Sequence, residues 1–277
     1  MDYLETAQRG RPRASLSTRL KRQVRRPGWQ VGGWVPLVVV LVFLAVWEGV
    51  ARLELMSQLF FPPPTRVIST LGELIWSGDL WPHLWSTLRI FVTGFVIGAS
   101  LGTALGLAMG ASAPIRTVVD PLVALVHPLP KIALFPLLLI MLGIGDAPKI
   151  AIVAIAAFFP MTINSMTGVS QIASVYFEVA GSFGMRRRDV ITRVIVPGSL
   201  PMVFAGARIA LNTALVLAIA TEILMSNRGL GHLIWLSWET LRTPQLYATL
   251  VVIALLGWMI QRGLEVLRRR VIPWGSE

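Results

Sequence analysis

Residues 86–110 read STLRIFVTGFVIGASLGTALGLAMG. After Arg89 no charged residue interrupts the stretch. An apolar run of about 20 residues is the length at which a helix crosses the hydrocarbon core of a bilayer. Within it Gly94, Gly98, Gly102, Gly106 and Gly110 recur every fourth residue. On a helix that interval makes one glycine ridge, which lets a neighbouring backbone approach closely, and close approach is what holds helices together in lipid. The spacing therefore predicts tight helix packing; a ridge that lines a pathway is the competing reading.

Working outward, five further apolar segments of similar length lie at about 34–52, 121–142, 148–168, 200–224 and 246–267. The sequence thus predicts an all-α protein, a polytopic transmembrane helical bundle of about six spans. Composition agrees. Hydrophobic residues make up 55% of the chain and charged ones 14%, where a soluble domain has roughly 25% charged. So few polar residues cannot cover a soluble surface, and so apolar a chain is not disordered. The absence of cysteine excludes disulfides, thiol nucleophiles and cysteine-held metals.

The formal charge is +11. A basic total suits either nucleic acid or a membrane protein with basic inner loops, and placement decides. Residues 1–33 carry Arg9, Arg11, Arg13, Arg19, Lys21, Arg22, Arg25 and Arg26 against Asp2 and Glu5. They show no apolar period and read as a basic tail. The 170–199 loop has Arg186, Arg187, Arg188 and Arg193, and the C-terminal end has Arg262, Arg268, Arg269 and Arg270. Six spans place all three regions on one side, and the positive-inside rule makes that side the cytoplasm. Both termini are expected there, in a multi-pass protein of the cytoplasmic (inner) membrane, with the lipid bilayer and not nucleic acid as surroundings. A cleavable signal peptide is not expected, because the basic region is too long and no small-residue cleavage site follows the first apolar run. Trp47, Trp76, Trp81, Trp85, Trp235 and Trp238 cluster at the proposed outer interface, and Trp34 and Trp274 near the inner one. Residues 65–78 read as a short amphipathic helix on the outer surface. The chain divides into the tail 1–33, the first span with its outer segment 34–85, and a transmembrane core 86–274.

The third span holds Pro121, Pro128, Pro130 and Pro136. Each removes a backbone donor and disfavours helix just before it. A simple kink fits, and so does an interrupted helix of the kind that marks a translocation pathway. His127 and Lys131 flank the break. Polar groups inside spans are costly and are functional candidates by default. Arg89, His127, Lys131, Asn164, Arg208, Asn212 and Glu222 are therefore the candidate pathway or gate residues. Arg208 and Asn212 share a helix face at i, i+4. Structural pairing, or snorkelling to an interface, is the competing reading for each.

Catalytic patterns are missing. His83, His127 and His232 form no metal pair of the HExxH type, and no glycine-flanked lysine forms a phosphate loop. No GxSxG elbow occurs. If ATP powers this protein, another polypeptide binds it.

The segment 176–201 reads YFEVAGSFGMRRRDVITRVIVPGSLP. It predicts a short helix over Glu178–Gly184, a turn at Gly184, and a second helix from Arg186 to Val196 ending at Pro197. Two short helices with greasy and charged faces suit docking into a groove on a soluble partner. A plain basic loop that only fixes topology fits equally.

The stretch resembles the EAA loop of ABC-importer permeases. Glu178, Ala180, Gly184, Val194 and Pro197 stand at that family's spacing, with Val179 where alanine is usual and Val194 and Val196 replacing isoleucine and leucine. The resemblance runs through nearly all of residues 60–274. FPPPTRV at 61–67, HPLPKIALFPLLLIMLGIG at 127–145, FFPMTINSMTGV at 158–169 and TEILMSNRGLGHLI at 221–234 are similar to the nitrate/sulfonate/taurine branch of those permeases. The resemblance implies a MetI-like fold and a homodimer of two permease copies. It also implies two ABC ATPase subunits that hold ATP and Mg, and an extracytoplasmic substrate-binding protein. It assigns no cofactor to this chain. It places ATPase coupling on Glu178, Val179, Ala180, Gly184, Met185, Arg186, Arg187 and Pro197. Its branch points to a small organic anion such as a sulfonate or taurine, or to nitrate. An ion-gradient-driven secondary transporter and a membrane-embedded enzyme or scaffold are the rival classes; a cognate ATPase separates them from the importer.

Overall fold

The computed structural model describes residues 34–54 and 57–273. The basic tail and Trp274 lie outside the described residues. The described regular structure is helical throughout. Helix α1 (Val35–Arg52) is apolar through Trp47, whose ring lies 6.1 Å from that of Phe43 one turn earlier. From Glu48 onward the chain forms one compact unit.

That unit opens with α2 (Pro64–Trp76), the expected amphipathic helix, which buries Val67 and Leu74 and exposes Ile68 and Trp76. The Pro63 carbonyl accepts from Arg66 and Val67, but its ring has no side-chain acceptor for the remaining first-turn amides. The Glu48 carboxylate supplies one, accepting from the Thr65 amide at 3.1 Å and the Thr65 hydroxyl at 2.9 Å.

Helix α3 (Leu80–Ala111) begins six residues before the expected position 86, so Trp81 and Trp85 lie on the helix and not in a loop. Pro82 explains the early start. It falls in the first turn, where its missing N–H has no helical partner to lose.

The next region departs further from expectation. No loop spans 111–120: only Ser112 is extended, and α4 (Ala113–Val126) starts directly after it. Pro121 lies inside α4, which tolerates the loss of one bond. The break comes instead after His127, which is still helical: neither Pro128 nor Pro130 can donate a backbone hydrogen bond, and Pro130 is extended. A single 3₁₀ turn (Lys131–Leu134) leads into α5 (Phe135–Leu142), where Pro136 sits harmlessly in the first turn. The two arms are bent by 90°. The expected span 121–142 is therefore a sharply angled pair beginning at Ala113.

Helices α6 (Asp146–Ser170), α7 (Ser174–Ser182), α8 (Arg187–Val190), α9 (Val196–Met225), α10 (Leu230–Glu239) and α11 (Thr243–Val271) complete the chain. Among the described residues four helical stretches are long and apolar enough to cross a membrane, or five with the bent pair. The second loop helix does not end at Pro197. Residues Ile191–Ile195 form a π turn in which the Val196 amide donates to the Ile191 carbonyl, and the helix runs on into α9. A proline ring clashes with the carbonyl four residues back; the wider turn moves that carbonyl aside. Arg187–Met225 is consequently one continuous 39-residue element.

Helix α6 is the centre of the bundle. A Cβ on Gly98, Gly102 or Gly106 would strike the carbonyls of Ala154, Phe158 and Thr162, so the α3 ridge lies directly on the α6 backbone. On its other side α6 packs Ile152, Ala157 and Met161 against Ala207, Ala210 and Ala214 of α9. A second apolar cluster joins Val67 and Leu74 of α2 to Leu230 and Leu233 of α10 and Leu256 of α11.

Candidate functional site

A cleft of about 760 Å³ opens where the N-terminal ends of α3 and α6 meet α10 and the C-terminal end of α9. Gly143 and Gly145, at φ +78° and +151°, turn the chain between α5 and α6. The turn sets Asp146 at the first position of α6, where the helix dipole favours a carboxylate. Its Oδ1 lies 3.0 Å from Lys149 Nζ, and its Oδ2 3.8 Å from an Arg89 guanidinium nitrogen. Lys149 is buried, and its ammonium also donates to Ser226 Oγ at 3.2 Å. Arg228 and His232 face the same space. Asp146 is thus shared between two cations, and a third cation, Arg228, and a second carboxylate, Glu239, line the same cleft. Such an arrangement can receive an additional anionic group. Sequence reading singled out Arg89 but passed over Asp146 and Lys149, which lie at the boundary of an apolar run. Their i, i+3 spacing was the available signal.

Beside the cleft Glu222 is fully buried. The Thr87 hydroxyl lies 2.9 and 2.8 Å from its two oxygens, and the Gly231 amide donates to it at 3.0 Å. The Leu230 amide donates in turn to Thr87 Oγ1 at 2.8 Å. Gly229 has φ +123°, and a side chain there would overlap the Glu222 carboxyl. The Gly229 amide lies 3.1 Å from His83 Nδ1 and can donate to it. His83 stacks on His232 with 6.0 Å between ring centres. The carboxylate thereby fastens the start of α10 to both α3 and α9.

The other candidates lie elsewhere. Asn164 donates to the Pro160 carbonyl at 2.8 Å, and its Cβ lies where a side chain on Gly206 would go, at the α6–α9 contact. Lys131 folds back at the bend, donating to the His127 carbonyl at 2.9 Å and sitting 5.5 Å from the Phe159 ring centre. Arg208 and Asn212 face α11, where Gln261 donates to the Asn212 side chain at 2.6 Å and to the Arg208 carbonyl at 3.3 Å. The seven candidate pathway residues therefore form no single cluster. Arg89 lines the cleft, Glu222 lies against it, and the rest are apart.

At the opposite end, α7 and the turn after it carry the loop residues. Ala180 is buried and accepts from the Met185 amide at 3.0 Å. Gly184 takes φ +61°, which favours glycine. Glu178, Val179, Arg186 and Arg187 are exposed, whereas Pro197 is half-buried in the first turn of α9. Phe183 is 82% exposed and Tyr176 61%, two aromatic rings on the outside of a short polar loop. Sequence reading gave them no role, although their seven-residue spacing on one helical face was visible.

Residues 94–273 match the family of binding-protein-dependent transport system inner membrane components. The taurine transport system permease protein TauC of Escherichia coli is 34% identical over 256 residues, covering 90% of this chain and 93% of that protein. A permease protein assigned to aliphatic sulfonates transport, SsuC of Bacillus subtilis, is 29% identical over 251 residues, covering 90% and 91%. The fold is similar to that of a chain of the MetNI methionine ABC transporter in an inward-facing conformation. That likeness has a TM-score of 0.60 at 20% identity and covers 72% of this chain and 98% of that one. The chain belongs to the binding-protein-dependent transport system inner membrane components and is a membrane-spanning permease subunit of an ABC importer.

Proposed function

We propose that two copies of this chain enclose a pathway for a small organic anion of the sulfonate or taurine class, entered from the cleft of Arg89, Asp146 and Lys149. The observation that carries this reading is the cation excess of the cleft, Arg89, Lys149 and Arg228 against Asp146 and Glu239, with the Lys149 ammonium buried. An entering sulfonate competes with Asp146 for Lys149 and Arg89, and a ligand shifts a conformational equilibrium only by such differential contacts. The similarity to taurine and aliphatic sulfonate permeases supports the same class.

The cytoplasmic side carries the coupling. Glu178, Val179, Ala180, Gly184, Met185, Arg186, Arg187 and Pro197 form or support the surface on which a separate ATPase pair docks. ATP and Mg reside on that pair, and this chain needs no cofactor of its own. A substrate-binding protein delivers cargo at the outer end, both termini are cytoplasmic, and residues 1–33 form a topogenic tail ahead of the 34–85 segment and the 86–274 core.

The test is uptake of labelled taurine by proteoliposomes holding this chain, its cognate ATPase and its binding protein. Uptake should need ATP, and Lys149→Gln should reduce it about tenfold or more, the cost of one charged hydrogen bond. Uptake without ATP that an uncoupler abolishes refutes the importer. ATP-driven uptake of a neutral solute with none of taurine or alkanesulfonates refutes only the substrate class.

A further inference from the structure

A second cleft, of about 840 Å³, opens between α9 and α11 near the end that carries the coupling loop. Phe204, Ile209 and Leu264 give it apolar walls. Arg208, Arg262, Arg268 and Arg269 stand around it with a single carboxylate, Glu265. Glu265 is already committed, at 2.9 Å to Arg268 and 3.0 Å to Arg269. Among the described residues no ion pair joins Arg208 or Arg262 to an acid. Two guanidiniums are left uncompensated.

Their depth is informative. The apolar run of α11 ends at Ile260, and Gln261, Arg262, Glu265 and Arg268 follow. Trp258, 58% exposed, sits at that boundary, the level where tryptophan marks a membrane–water interface. Arg262 lies over its ring at 5.5 Å from the centroid. Arg208 is at the same level, because its carbonyl accepts from Gln261. The apolar window of α11 is only 6% buried, so this helix turns a broad greasy face outward beside the cleft.

We propose that this cleft binds the headgroup of an anionic phospholipid from the cytoplasmic leaflet. The forks of Arg208 and Arg262 hold the phosphate, a geometry that guanidinium matches with two parallel hydrogen bonds. Phe204 and Trp258 take the upper acyl chain. A freely soluble anion would satisfy the charges but not the apolar walls or the open greasy flank. An amphiphile satisfies both, and basic pockets between helices on this side of a membrane have that use.

The full chain in nanodiscs of phosphatidylcholine with a minority of phosphatidylglycerol provides the test, with retained lipid counted by native mass spectrometry. Each basic contact near a membrane surface contributes about fivefold, so Arg208→Gln/Arg262→Gln should lower the preference for phosphatidylglycerol roughly thirtyfold. Arg186→Gln/Arg187→Gln, on the coupling loop, should leave it unchanged. Should the double variant aggregate, Arg262→Gln alone is on the surface and should show about a fivefold fall. An unchanged preference in these variants overturns the proposal. So does release of the lipid by excess inorganic phosphate or ethanesulfonate, which would make this a site for a soluble anion.

Discussion

The glycine ridge on α3 makes a quantitative prediction. A Cβ built on Gly98 lies 2.8 Å from the Ala154 carbonyl carbon and 2.9 Å from its Cα, and nearer still to the oxygen. Ordinary carbon contacts begin near 3.5 Å, and the atoms struck are helix backbone, which cannot rotate away. Relief requires α3 and α6 to separate along a crossing that Gly94 and Gly102 also need close. Overpacking of this kind costs about 1–3 kcal/mol, and a rigid neighbour places Gly98→Ala near 3. Replacing glycine inside a helix returns about 0.5–1 kcal/mol, so the net loss is about 2 kcal/mol. Gly263 on α11 is the control, since a Cβ there meets nothing within 4 Å. Gly263→Ala should gain the helical 0.5–1 kcal/mol without a penalty. Thermal unfolding of the purified chain in detergent, followed by tryptophan fluorescence, reads both. At about 2–4 °C per kcal/mol for a chain of this size, Gly98→Ala should fall by roughly 4–8 °C while Gly263→Ala stays level or rises. A Gly98→Ala midpoint at or above the parent value would refute the close-packing account.

Glu222→Ala leaves the Gly231 amide without its buried acceptor, at about 1–3 kcal/mol, whereas the Thr87 hydroxyl keeps the His83 carbonyl at 3.2 Å. Glu222→Gln keeps the shape and one acceptor oxygen, so it should unfold at a clearly higher temperature than the alanine variant; equal midpoints would contradict the fastening role. Gly184→Trp combines a left-handed backbone that disfavours any side chain with a bulky ring on the proposed docking surface. ATP-driven uptake should be lost with membrane insertion normal on protease mapping, and undiminished uptake would remove Gly184 from the coupling surface.

The membrane-crossing character of the chain was legible because hydrocarbon thickness sets segment length and the sequence obeys it plainly. The glycine period was legible for the same reason: lipid leaves packing geometry as the discriminator, and geometry is periodic. Proline was harder. Pro121 and Pro136 read as breakers but sit within helices, at the cost of a single bond or in a first turn. Pro128 and Pro130 break the chain because they act together. Pro197 deceived the reading most, since a π turn, which has no sequence period of its own, absorbs it. The cleft of Arg89, Asp146 and Lys149 was half legible. Arg89 stands out within an apolar segment, whereas Asp146 and Lys149 gain meaning only when α3 and the 226–228 turn are brought beside them, and no local spacing records that approach.

The π turn bears on how the two ends of the subunit communicate. The segment Arg187–Met225 is one helical element, about 58 Å long at 1.5 Å per residue. It begins beside the turn at Gly184, proposed above for ATPase docking. It ends one residue before Ser226, which Lys149 holds, and it carries Glu222, which fastens α10. If the Gly184 turn couples as proposed, its displacement reaches the cleft of Arg89, Asp146 and Lys149 along a single rod, provided α8 keeps its rotational setting on α9. The π turn fixes that setting, because one extra residue in a turn rotates everything before it by about 100°. Pro197 maintains it by making the regular α-helical bond impossible. Pro197→Ala permits the turn to tighten, and α8 then swings to a new face of the rod while the α3–α6–α9 packing is untouched. The expected result is a protein of near-normal thermal stability whose ATPase activity no longer rises with liganded binding protein and whose uptake falls in parallel. Full stimulation and uptake in Pro197→Ala would mean that the setting of α8 does not carry the signal, and that coupling travels instead through the surface of α7.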